Sequence, residues 1–432
     1  MLSLGRLKLQ PNTERINLLL TQASPMILTG LISLVIFHGY LLIQESNGGS
    51  DLVSADIPKS LMLLNGQNPY STQPWASPYP PLLLLTVSGI IRFTGLFAAQ
   101  SSLDLISQQL RLVGLFANTL VALIIYRTIR TRTSNPLQAL IPASLFLTIP
   151  AMSTSPLYFF HSDTFGYPIL ALSILALVSR RYFIGTTLLA TATIFKVHPI
   201  LALPLVILWL IRTRGLRNTA PSIASATIIA TIGLGLPLMI SGYEQSILGF
   251  NLSNAGNTET FSTVINQLNG FLPQILQINP SQYAYNQIWI IASAALYTAV
   301  LGTVWTRARS LTAIDVTLLG LLAWLIPLRI VYTHYIVWAL VPILMRGRLK
   351  QTILISSLLQ LADTLAYWAS TPGVSPVPGF QTLYGLVLTS LIMRLVGATT
   401  LVLVLNSVRR KSLDQFGHSA LTAPTILSAS SA

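Results

Sequence analysis

The chain alternates between apolar runs and short stretches where arginines collect. A polar segment, Met1 to Pro25, carries Arg6, Lys8 and Arg15 and precedes the first apolar run, Met26 to Ile43. Further apolar intervals lie between Arg127/Arg130/Arg132, Arg180/Arg181, Arg212/Arg214/Arg217, Arg307/Arg309, Arg346/Arg348/Lys350 and Arg409/Arg410/Lys411. Runs of this length and apolarity predict membrane helices. Lys and Arg concentrate in cytoplasmic loops of such proteins. If every cluster lies on that side, each interval must cross the bilayer and return, which predicts about twelve spans with both termini cytoplasmic. The predicted fold class is an all-α integral membrane protein.

The intervals fit paired helices. Residues 135–179 predict a hairpin around an outer loop near His161, and 182–210 a short hairpin with its tip at Lys196 and His198. Residues 219–306 predict a pair joined by a long outer loop, 241–285. Residues 311–345 turn near His334, and 351–407 form the last pair. In the first outer loop, 44–109, the run Pro81 to Phe97 is read as juxtamembrane helix, with the true span beginning at Leu110. The whole of 1–411 is then one transmembrane domain. The Ser/Ala/Thr-rich 412–432 is expected to be a disordered cytoplasmic tail.

Composition sharpens this reading. Of 432 residues, 52% are hydrophobic and 8% charged, with mean hydropathy +0.67. A soluble domain carries about 25% charged residues. The net charge of +14 therefore reflects cytoplasmic loops rather than a nucleic-acid partner. There is no cysteine, so disulfides and thiolate metal sites are excluded. No Gly-rich phosphate loop, metal-spaced His cluster or Gly-x-Ser-x-Gly occurs, and neither metal nor cofactor is expected. No cleavable signal sequence precedes the first span. The acids Glu45, Asp51, Asp56, Asp104, Asp163, Glu244 and Glu259 all fall on the outer side of this topology.

The first outer loop carries the most chemistry. Asp51 and Asp56 follow the first span closely, and a carboxylate there could serve as a general base. Asp56 precedes Ile57-Pro58 and could equally be a helix N-cap. Next come Gly66-Gln-Asn-Pro-Tyr70 and Tyr79-Pro-Pro-Leu82. Tyr70, Trp75 and Tyr79 would serve as an interfacial aromatic belt or as sugar-stacking surfaces.

This arrangement resembles the GT-C superfamily of membrane glycosyltransferases, in particular glycosyltransferase family 87 and related mannosyltransferases. The resemblance rests on Asp51 or Asp56, Gly66, Asn68, Pro69, Tyr70, Tyr79, Pro80, Pro81 and Leu82. It continues at Phe195-Lys196-Val-His198-Pro199 and at His334-Tyr335-Ile-Val-Trp338. It implies a GT-C-like fold, a polyprenyl- or dolichyl-phosphate sugar donor, and a glycan or glycolipid acceptor. Asp51 lies seventeen residues before Asn68 and Asp56 twelve before it; the family's usual separation is about sixteen, which favours Asp51.

Transfer from such a donor also needs cations for the leaving phosphate. Lys196, with His198 or Arg329, is the candidate set. A Lys snorkelling to the interface and a structural His are the plainer alternatives. His161, Asp163 and His334 are candidate substrate contacts. Asp363 and Arg394 are expected to form a structural pair inside the membrane.

The expected activity is inverting transfer of a sugar, mannose first, at the outer face of the plasma membrane. A multi-pass transporter or flippase, or a non-catalytic scaffold subunit of an envelope-assembly complex, are the alternatives. Solute uptake by vesicles would identify the first, and indifference to replacement of both first-loop Asp residues the second.

Overall fold

The computed structural model describes residues 11–45, 56–71, 81–95, 103–148, 162–196, 198–240, 282–326, 333–370, 392 and 395–407. Among these the secondary structure is helical, with no strand. The helices are α1 (Pro11–Glu45), α2 (Ile57–Leu64), α3 (Pro81–Gly95), α4 (Leu103–Arg130) and α5 (Pro136–Thr148). They continue as α6 (Tyr167–Val178), α7 (Tyr182–Phe195), α8 (Ala202–Arg214), α9 (Leu216–Ala230) and α10 (Gln282–Arg307). The last are α11 (Ala313–Leu325), α12 (Thr333–Met345), α13 (Leu349–Ser370) and α14 (Leu395–Ser407).

Among the described residues, two segments are long and apolar enough to cross a bilayer, Leu19–His38 in α1 and Leu103–Arg130, which is α4. Other apolar helices run 10–17 residues. The expectation of about twelve full spans is therefore not carried by the described helices. At 1.5 Å per residue α4 is about 42 Å long, whereas α6 and α7 are only about 18 and 21 Å. A hydrocarbon core is about 30 Å thick. Large apolar side chains face outward along these helices, including Met26, Leu34 and Phe37 on α1 and Phe116 on α4. Such exposure suits a lipid-facing surface.

Among the described residues, members of the basic clusters from Arg127 to Lys350 bond near the ends of the helices. Arg132 donates from Nη2 to the Met345 carbonyl, next to Arg346. Arg346 Nε lies 3.0 Å from Asp315 Oδ1. Asp315 sits at the start of α11 in a reciprocal capping box with Thr312, three residues beyond Arg309. Arg212 donates to the Trp305 carbonyl at 3.2 Å and stacks over that indole. Arg214 reaches the Tyr182 hydroxyl at 3.0 Å, directly after Arg180 and Arg181. Helices α1 and α14 contact the same end: Ser24, within α1, has its Oγ 2.7 Å from the Tyr126 hydroxyl near the end of α4, and Arg346 Nη2 donates to Ser407 at the end of α14 at 3.1 Å. The opposite ends of α6, α7 and α12, with the turn before α8, define the other face. The candidate chemistry lies there.

Candidate active site

The Gly66–Tyr70 motif is the turn that ends α2. Gln67 N–H donates to Met62 O at 2.8 Å and Gly66 N–H to Leu63 O at 3.1 Å, the paired bonds of a Schellman stop. Gly66 takes φ +71°, a conformation that costs glycine little. Asn68 Oδ1 then accepts the Tyr70 N–H at 2.9 Å, closing an Asx turn across Pro69. The result buries Tyr70 against Leu84 of α3 and Leu63. Helices α2 and α3 are clamped by Ser60 Oγ donating to Leu84 O at 3.3 Å and Ser88 Oγ donating to Ser60 O at 3.1 Å. A cavity of about 370 Å³ opens over the motif, lined by Gly66, Asn68, Pro69, Tyr70, Pro81 and Leu85 among others.

Asp56 and Lys59 lie at the base of this unit. Asp56 stands at the N-cap position of α2 with Pro58 in the first turn, as expected, but its side chain makes no capping bond. Its backbone is already helical, at φ −71° and ψ −43°, and the residue is fully buried. The N-cap reading is thereby corrected, because a helical φ/ψ does not aim the carboxylate back at the amides it would cap. Lys59, one turn later, is 3% exposed, with Nζ 5.8 Å from the Tyr70 ring centre. Burial lowers the Lys59 pKa, against the raising influence of Asp56.

The second group gathers around the turns flanking α6, α7 and α8. Asp163 lies in a 3-10 turn before α6, and Lys196 immediately follows α7. Lys196 Nζ is 2.5 Å from Asp163 Oδ1, with side-chain exposures of 8% and 0%. Trp338 of α12 donates from Nε1 to Asp163 Oδ2 at 3.3 Å. Its indole meets Tyr167 edge-on at 5.1 Å and His198 at 6.3 Å between ring centres. Gly166 makes this closeness possible, since a Cβ there would stand 2.5 Å from the Trp338 ring. His198, in the 3-10 turn before α8, is buried. Desolvation, then the Lys196 charge, pull its pKa down to about 3, against the opposing effect of Asp163.

One apolar cluster borders both groups. It contains Ile57, beside Asp56; Phe165, two residues past Asp163; and Phe195, beside Lys196. Leu83, Val87 and Ile91 of α3 and Ile106 and Leu110 of α4 complete it. Arg111, next to Leu110, is also buried.

The structure thus sets Asp56, Asp163 and Lys196 beside one apolar cluster, with His198 against Trp338 and Tyr70 packed on α3. Lys196 does not snorkel, since its stem and ammonium are enclosed. Asp51, Tyr79, His161, Arg329 and Arg394 lie outside the described residues, as do the side chains of His334 and Asp363. Sequence reasoning counted Lys59 only among the basic residues outside the clusters that are general candidates for the leaving phosphate, and assigned no role to Trp338. Trp338 belonged to a recognised motif, but nothing local marks an indole as the partner of a carboxylate 175 residues away.

Residues 59–212, about a third of the chain, match the family model described as alpha-(1->6)-mannopyranosyltransferase, N-terminal domain. The match takes in Lys59, Tyr70, Asp163, Lys196 and His198, and stops short of Asp51, Asp56 and α12. It supports a mannosyltransferase-type membrane glycosyltransferase of the GT-C kind, not the narrower assignment to family 87. No curated protein matches the chain.

Proposed function

We propose that this chain is an inverting membrane mannosyltransferase that uses a polyprenyl- or dolichyl-phosphate mannose donor at the outer membrane face. One observation carries the reading: a buried carboxylate, Asp56, opens the helix whose far end is the Gly66–Tyr70 turn, directly before and within the mannopyranosyltransferase-like segment. The acceptor is a glycan or glycolipid hydroxyl.

In the proposed step the acceptor oxygen bonds to the anomeric carbon as its proton passes to the base. The bond from that carbon to the phosphate oxygen breaks, and the lipid phosphate leaves with the electron pair. Asp56 or Asp51 takes the proton. Buried cations stabilise the departing phosphate.

The charge distribution supports this sidedness. Among the described residues, members of the basic clusters gather at one end of the bundle, and the rule that cytoplasmic loops are rich in Lys and Arg supports placing the opposite end outside. The helices behind Lys196, shorter than a full span, would set the reaction within the outer half of the bilayer, at the depth of a lipid phosphate.

The test is a transfer assay on purified protein in lipid, with polyprenyl-phosphate mannose labelled in the sugar and a membrane extract as acceptor source. Label should move from donor to acceptor with wild type and stay on the donor with an Asp51→Asn/Asp56→Asn double variant. Equal transfer by the double variant would remove both carboxylates from the mechanism. No transfer of mannose, glucose or arabinose by folded wild-type protein would overturn the reaction class.

A further inference from the structure

The two lysines bordering the shared apolar cluster are placed differently. Lys196 already has a carboxylate, Asp163, at 2.5 Å, and the Trp338 N–H holds that carboxylate in position. A phosphate approaching Lys196 would meet the Asp163 charge on the same ammonium. Buried like charges repel strongly, and a buried pair is broken only at high cost.

Lys59 is the opposite case. It is as deeply buried, yet its Nζ makes no hydrogen bond among the described residues. An ammonium carries three donors, and leaving them unmet away from water is expensive. Asp56 interacts with it electrostatically from one turn earlier, and the Tyr70 ring lies 5.8 Å away. Tyr70 is also a wall of the motif cavity, so the cavity and the lysine share one side chain. Leu63, Leu84, Leu85 and Ile240 make the cavity mostly apolar, while Gln67 and Asn68 supply polar groups. An apolar cleft next to a buried cation fits a ligand with a hydrocarbon chain and one phosphate.

We infer that Lys59, rather than Lys196, receives the phosphate of an isoprenoid phosphate whose chain lies in the cavity between α2 and α3. This rests on the proposed donor class. Lys59 is then a donor-binding residue three positions after the candidate base. The Asp163–Lys196 pair is the brace that holds α6, α7 and α12 behind it.

The experiment compares farnesyl phosphate with farnesol binding to the purified full chain. Wild type should prefer the phosphate by about tenfold or more, the scale of a charge-assisted contact. Lys59→Gln should bring the two ligands to near-equal affinity with farnesol binding unchanged, which also shows the cavity to be intact. Lys59→Arg should restore most of the preference. An Asp163→Asn/Lys196→Gln double variant should keep it. A preference that survives Lys59→Gln, or that vanishes only in the double variant, overturns the assignment. A wild type that binds both ligands equally overturns the donor class itself. Independently, a diazirine-bearing farnesyl phosphate should label residues 57–71 and 81–95 of wild type; labelling confined to other segments would also overturn the site.

Discussion

The Asp163 carboxylate and the Lys196 ammonium meet at 2.5 Å, the first fully buried and the second nearly so. The pair joins the turn before α6 to the end of α7, and through Trp338 it ties both to α12. Removing one partner leaves an uncompensated buried charge. Asp163→Asn or Lys196→Met alone should cost about 3–5 kcal/mol of stability. The double replacement should recover most of that loss, because neither charge then remains to be desolvated. Thermal unfolding of the four proteins in the same detergent checks this, and additive losses would show that the two side chains do not act together.

His198 yields a pH prediction. Its native pKa is pulled down to about 3, while the unfolded value is the ordinary 6.5. Below pH 6.5 the unfolded chain takes up a proton that the native chain refuses, so acid favours unfolding. Stability should fall as pH drops from 6.5 toward 3, by up to about 1.4 kcal/mol per pH unit from this residue. Above 6.5 it should contribute no pH dependence. In His198→Gln that part of the slope should disappear, as read from unfolding temperatures at stepped pH.

The two first-loop carboxylates should separate in single variants. Asp56 opens α2 without capping it, so Asp56→Asn should leave the folded helix in place. Transfer should nonetheless fall by about a hundredfold or more if Asp56 is the base. Asp51→Asn gives the same loss only if Asp51 holds that role. Initial rates with saturating labelled donor, beside circular dichroism of each variant, decide between them.

Gly166 is constrained by space rather than by backbone angle. An alanine methyl would press on Trp338 at 2.5 Å and on the Asp163 carbonyl at 3.3 Å. Gly166→Ala should therefore cost about 1–3 kcal/mol and loosen the indole from Asp163. A Gly166→Ala/Trp338→Phe double variant relieves the clash and should be less destabilised than the sum of the two single changes. Unfolding midpoints measure both effects.

Much of the architecture was legible in the order of residues. Hydropathy and basic clusters are local quantities, so they marked where helices lie and where they turn, and Arg132, Arg212, Arg214 and Arg346 each bond to a group at or near a helix end. The Gly66–Tyr70 turn was equally readable, since Gly, Asn and Pro impose their geometry within a few residues. The short hairpin carrying Lys196 and His198 was also foreseen. What only the tertiary structure decided is which charges are paired and which are merely enclosed. Asp163 and Lys196 are separated in the chain by two helices, α6 and α7, and Trp338 comes from α12. Their meeting depends on how α6, α7 and α12 pack. Lys59 stands out in sequence only as one of the basic residues outside the arginine clusters; the structure shows it as a buried cation with Tyr70, folded back by the Gly66–Tyr70 turn, beside it. A residue's type sets the chemistry it can perform, but desolvation and partnership are set by neighbours distant along the chain, and those settle which candidate is available to a ligand.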